Sequence, residues 1–192
     1  MNGQSQADLK LFMILLGSKA PGRNVEQHDY FFGIAQTLKG LIPDIKAFWP
    51  EAGNSIHLDG WREITMVDGY RVKVIPKGKT TISSSKRLFF INLGGYQPDK
   101  LEEQHYTVLT VKEDRALAVQ DAKKTIFFKT NTLKGAGSHI DEKYGIDVDD
   151  IYLIEDILSP SQKEKYHIAI TPAKNLPRDQ INLGYFKLDK IK

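Results

Sequence analysis

Apolar residues in this chain gather into short runs closed by glycine, proline and polar clusters. LFMILL (residues 11–16) and LFFINL (88–93) each end at a glycine and predict buried strands. Each run leads into a loop with a proline and other turn formers, SKAPGRN and GYQPDKL. DYFFGIAQTLKGLI, which follows in the first half, is ambiguous between strand and helix. Its counterpart HYTVLTV is rich in β-branched residues and predicts a strand, which settles the first half as well. A helix is expected next in each half, over residues 36–48 and 113–124, with Pro43 kinking or interrupting the first. ALAVQDAKK in the second combines good helix formers with a basic end suited to the helix dipole. Two further strands per half come from the His-x-Asp segments and from YRVKVI or IYLIEDIL. Asp68-Gly69 ahead of Tyr70 is hairpin-turn chemistry. In the tail, YHIAIT and INLGYFKL predict two more strands, expected to complete the second sheet.

The two halves are alike in sequence as well as in pattern. LFMILLGSKAPGRNVEQH (11–28) aligns without gaps on LFFINLGGYQPDKLEEQH (88–105), with nine of eighteen positions identical. A second block sets HLDGWREITMVDGYRVKVI (57–75) against HIDEKYGIDVDDIYLIEDI (139–157), with six identities, His57/His139 and Asp59/Asp141 among them. The offset grows from 77 to 82 between the blocks, an insertion that a loop or longer helix absorbs. The expected fold is therefore α+β: a tandem duplication of a ββαββ-like unit packed as a pseudo-twofold pair, with a C-terminal β extension. The expected boundaries are a disordered N-terminus (1–8), copy one (9–76), a linker (77–86), copy two (87–159) and the extension (160–192).

Composition narrows the function classes. With 41% apolar and 27% charged residues in 192, the chain is that of an ordinary globular protein. A formal charge of +3 does not imply nucleic acid, and the absence of cysteine excludes disulfides and thiolate chemistry. The N-terminus MNGQSQADLK lacks an apolar h-region, and residues 11–16 are too short to span a bilayer. A cytoplasmic soluble protein is expected. The tail carries seven Lys/Arg against three Asp/Glu, read first as a solvated surface and second as a contact for an anionic partner.

Histidine carries the candidate chemistry. Four of the five histidines stand two residues from a carboxylate and recur in both copies: Glu26/His28, His57/Asp59, Glu103/His105 and His139/Asp141. On a strand, i and i+2 share a face, so each pair is expected to act together. Three uses compete. The pairs fix strand register as satisfied polar groups. They line a cleft that binds a small molecule or partner, or does acid/base work. Or two imidazoles and a carboxylate hold a metal, although no strong metal motif is present and no residue is assigned as a metal ligand. The functional reading favoured is a small-molecule- or partner-binding protein, with an acid/base enzyme or a metal-binding protein as alternatives. Cofactor and oligomeric state are left open. Gly17, Gly94 and Gly95 match no phosphate-binding motif and are expected to permit positive φ. Trp49 and Trp61, found only in copy one, are assigned to packing. Tyr70 and Tyr152 are expected to anchor strands.

LFMILLG…EQHD, FWPEA, HLDGWREI and VDGYRVKV together resemble a bacterial duplicated-domain family, the domain of unknown function numbered fifteen forty-three. The resemblance covers most of residues 9–76 and, more weakly, 88–157, where the Trp-containing stretch has no counterpart. It implies a bacterial, cytoplasmic protein and carries over no activity, substrate or catalytic residue.

Overall fold

The computed structural model describes residues 8–78, 84–96, 101–124 and 146–192. In chain order the strands are β1 (Lys10–Ser18), β2 (Gln27–Ala35), β3 (His57–Glu63), β4 (Met66–Val67), β5 (Tyr70–Pro76), β6 (Arg87–Tyr96), β7 (Glu103–Lys112), β8 (Ile146–Leu153), β9 (Tyr166–Pro172) and β10 (Asn182–Lys187). Helices α1 (Ile42–Phe48) and α2 (Arg115–Ala122) follow β2 and β7. Two compact units result: residues 1–82 with 158–192, and residues 83–157.

In the first unit an antiparallel sheet runs β10-β3-β1-β2. Because β1 has a strand on each side and is covered on both faces, its sequence is a continuous apolar run rather than an alternation. One face sends Phe12, Ile14 and Leu16 into a core with Phe31, Leu41, Ile45, Ile56, Leu58 and Leu188. Each such buried side chain contributes roughly 1.5–3 kcal/mol. Trp49 and Trp61 pack against this cluster, the role expected for them. The stretch read as one helix over 36–48 is divided. Thr37 caps a 3-10 turn (Leu38–Leu41), and α1 then begins with Pro43 in its first turn, where a missing N–H costs no hydrogen bond. Pro43 thus starts a helix instead of kinking one.

A second sheet of the same unit runs β4-β5-β9. Its hairpin closes through Asp68 (φ 52°) and Gly69 (φ 78°), the pair of positive φ values that a two-residue turn between twisted strands requires. The tail strands are where the sequence places them but not in the expected sheet. β9 pairs with β5 and β10 with β3, so residues 158–192 complete the first unit, not the second. They are anchored by buried Gln162, in a short helix (Pro160–Lys165). Its Oε1 accepts from Ile34 N (3.0 Å), and its Nε2 donates to Ile34 O (3.2 Å) and Asp44 (2.9 Å). This satisfies backbone groups on β2, the edge of its sheet.

The second unit holds a sheet β7-β6-β8, with Phe89, Ile91 and Leu93 of β6 packed on Ala118 and Ala122 of α2. Asp114 caps α2 by accepting from Leu117 N (2.9 Å). IYLIEDIL, expected as a strand, changes state within itself: Ile151–Leu153 close β8, and a helical turn (Ile154–Ile157) follows.

The two hairpins share one register. Lys10↔Ala35 through Gly17↔His28 in β1–β2 corresponds, 77 residues on, to Arg87↔Lys112 through Gly94↔His105 in β6–β7. The third strand repeats an irregularity as well. β3 shifts register against β1 between Leu15 and Leu16, and β8 shifts against β6 at the matching Asn92 and Leu93. Opposite Gly17 stands His57, and opposite Gly94 stands Asp147. The strand position of His57 is therefore held in the second unit by Asp147. His139 and Asp141 lie outside the described residues, as do most of the expected N-terminal tail and residues 79–83 of the linker. Among the described residues no helix is long and apolar enough to cross a membrane.

Candidate functional site

Gly17 is the middle of a three-residue row across the first sheet, with His28 of β2 on one side and His57 of β3 on the other. Opposed residues of neighbouring strands point to the same face, so both imidazoles rise above a residue without a side chain. The β3 bulge then supplies a carboxylate. Leu58 pairs with Leu16 and Gly60 with Leu15, which leaves Asp59 as the extra residue, its carboxylate over Gly17 beside His57. Glu26 lies one residue before β2, in the loop rather than on the strand as expected, and still reaches the cluster.

Gly17 is needed for close approach. A Cβ there would stand 2.4 Å from Asp59 Oδ2 and 2.6 Å from His57 Nε2. Gly17 is not among the residues with positive φ, so the expected left-handed turn is replaced by a clearance role within a strand.

The four side chains form a box. His57 Nε2 is 3.2 Å from Glu26 Oε1 and 3.2 Å from Asp59 Oδ1. His28 Nε2 is 3.0 Å from Asp59 Oδ2 and 3.8 Å from Glu26 Oε2. His57 is the fixed member, with its side chain only 4% exposed, whereas those of His28 and Glu26 are 47% and 42% exposed. Its Nδ1 lies 2.9 Å from the Ser55 carbonyl oxygen, which can only accept, so the proton of the neutral ring is assigned to Nδ1. Ser55 is itself held, its Oγ sharing a 2.6 Å hydrogen bond with the buried Ser18 and donating to Ala52 O at 2.7 Å. The ring of Tyr185, on β10, lies over His57 with centroids 4.3 Å apart.

This arrangement turns the His57 Nε2 lone pair toward two carboxylates. His57 Nε2 and Asp59 Oδ2 are both buried and without an aligned hydrogen-bond partner. Buried acceptor atoms facing other acceptors are costly unless positive charge lies between them. As they stand, the side chains are not a ready-made coordination shell; no such group of three or more His, Asp or Glu exists among the described residues. Farther along β3, burial pushes the Arg62 guanidinium below its ordinary value, with Asp179 and Tyr30 opposing the shift.

Four of the eight residues singled out from sequence thus meet at one place. In the second unit Glu103 and His105 also come together, with His105 Nε2 3.6 Å from Glu103 Oε2 and Nδ1 3.4 Å from Asn92 Nδ2. Beside the box of the first unit, a groove of about 390 Å³ reaches it through Ser55 and Tyr185, and is lined otherwise by residues such as Lys46, Asn54 and Lys187. Sequence reasoning missed Ser18, Ser55 and Tyr185 and misassigned Gly17. The signal for Gly17 was available, since a glycine inside an apolar strand marks close approach.

Fold and cluster define a class: a mixed α+β chain of antiparallel sheets whose first unit carries a surface His/carboxylate box. Residues 23–74 match the family model of the Domain of Unknown Function (DUF1543), a span that includes all four box residues. No match is found among curated proteins. In fold, the chain is similar to the crystal structure of a protein Il1583 from Idiomarina loihiensis. The TM-score is 0.64 at 22% identity, over 94% of this chain and 99% of that chain. At that identity the likeness is one of fold.

Proposed function

We propose that the first unit is a ligand-binding module whose box of Glu26, His28, His57 and Asp59 takes a cationic group. The observation that carries this reading is the buried His57 Nε2, which lies 3.2 Å from an oxygen of each carboxylate and is hydrogen-bonded to neither. With neutral rings, two carboxylates give the box a charge of −2, which a cation would offset. Glu103, His105, His139 and Asp141 are the second unit's candidates for the same role. The second unit has no imidazole at the His57 position, which favours the first unit as the binding one. Shared register and a shared bulge support descent of both units from one repeated ββαβ element. The test is calorimetric titration of the full chain with alkylammonium, guanidinium and divalent cations against acetate and sulfate. Binding of cations alone, lost in Glu26→Gln and Asp59→Asn, is expected. Preference for anions, or indifference to both substitutions, would overturn the reading.

One observation favours acid/base chemistry as a second reading. Asp59 offers one oxygen to His28 (3.0 Å) and the other to His57 (3.2 Å), a carboxylate bridge between a half-exposed and a buried imidazole. That reading requires turnover that vanishes in His28→Ala while the fold is kept.

A further inference from the structure

We infer that the cation is a divalent first-row transition metal of the zinc type, bound once per chain by His57 and Asp59 with His28 and Glu26 closing over it. This rests on the cation-binding reading above and names its ligand.

The donor chemistry selects the metal. Imidazole nitrogen suits zinc, iron, nickel and copper, while calcium and magnesium are held by oxygen alone. A box with two imidazoles and two carboxylates matches the first group. The donors stand near one another without yet forming one shell: the N···O separations are 3.0, 3.2, 3.2 and 3.8 Å, each to a different carboxylate oxygen.

Orientation agrees as well. A metal-bound histidine characteristically donates its other ring N–H to a carbonyl or carboxylate, which fixes the tautomer. His57 Nδ1 does this to Ser55 O, leaving Nε2 within 3.2 Å of two carboxylate oxygens yet hydrogen-bonded to neither. A proton on Nε2 would be expected to draw one carboxylate onto its axis; a metal sits among several donors.

The box is not a finished shell, and its two halves differ in a way that suits capture. His57 and Asp59 are the more buried pair, held above Gly17 by the strand, the bulge and the Ser55 carbonyl. His28 and Glu26 are nearly half exposed at the open end of the hairpin, where their side chains can turn inward. Two donors are built in, and two arrive with the ion.

The second unit provides an internal contrast. Glu103 and His105 repeat the more exposed half, but the strand position of His57 carries Asp147, which supplies no imidazole there. One equivalent of metal per chain is expected.

The experiment uses the full, untagged chain, stripped with a chelator and titrated with Zn²⁺, with Co²⁺ as a spectroscopic probe. Expected are one bound equivalent, visible Co²⁺ absorption of imidazole–carboxylate type, and loss of affinity by more than about 100-fold in His57→Ala. Loss of an outer-shell partner alone brings about 10–100-fold. His167→Ala serves as a control for adventitious imidazole binding and leaves the isotherm unchanged. If His57→Ala fails to fold, His28→Gln and Glu26→Gln at the exposed end carry the test, each weakening Zn²⁺ binding at least tenfold. Binding of methylguanidinium that depends on Glu26 and Asp59, without Zn²⁺ binding, would overturn the metal and leave the cation reading standing. Binding of neither by folded protein would overturn both.

Discussion

At Gly17 the backbone of β1 is the floor of the box, and the absence of one carbon decides whether His57 and Asp59 can lie over it. Gly17→Ala brings a Cβ to within 2.4 Å of Asp59 Oδ2, so the β3 side chains must move or the strand must shift. The expected cost is about 1–3 kcal/mol, as for other overpacked sites. Cation binding should fall at least tenfold. Urea unfolding and calorimetric titration check the two parts separately, and an alanine variant of unchanged affinity would show that the floor is not needed. Individual site residues were legible in the sequence when they were scarce and repeated, as Glu26 and His28 were. Ser55 was not legible because it acts through its backbone carbonyl, which carries no residue-specific signal. Tyr185 comes from the far end of the chain, across a β10–β3 pairing that no local pattern encodes.

Elements were more readable than sites, and the exceptions have physical causes. β2 was settled only by β-branched residues of its counterpart β7. Pro43 was misjudged because its effect depends on position: harmless in the first helical turn, disruptive later. In the second unit the strand register sets Asp147 where His57 stands, a placement that the shared His-x-Asp of the sequence does not signal. Two predictions belong at this scale. Gln162→Ala removes three hydrogen bonds that tie the tail helix to β2 and to Asp44, leaving buried groups unsatisfied. The expected loss is about 1–3 kcal/mol in denaturant unfolding, and a change under about 0.5 kcal/mol would contradict the anchoring role. In the second unit, burial opposes ionisation of Asp121. A hydrogen bond and charge from Lys112 (3.1 Å), with Thr110 (3.1 Å) and Lys124, prevail and hold the carboxyl below the usual range. A lowered folded-state value means stability that is present above the ordinary carboxylate pKa and lost as pH falls through the lower folded value. Because Asp121 is partly exposed, the effect stays below about 1 kcal/mol. Asp121→Asn should flatten that part of the acid unfolding curve, and an unchanged curve would remove Asp121 as its source.

For the whole molecule, the tail is part of the first unit. β9 and β10 cover the edges of β5 and β3, so deleting residues 158–192 exposes backbone hydrogen-bonding groups on both strands. The truncated chain is expected to aggregate and to lose cooperative unfolding in the first unit, checked by size-exclusion chromatography and circular dichroism. A monomeric truncation with intact cation binding would contradict this assignment. The most direct measurement of the central claim is a long-range proton–nitrogen correlation spectrum of the histidine rings in the full chain, before and after Zn²⁺. The expected result is a His57 ring protonated at Nδ1, with an Nε2 resonance that shifts when the ion binds. A ring protonated at Nε2 with Nδ1 bare, or an Nε2 resonance indifferent to saturating cation, would contradict it.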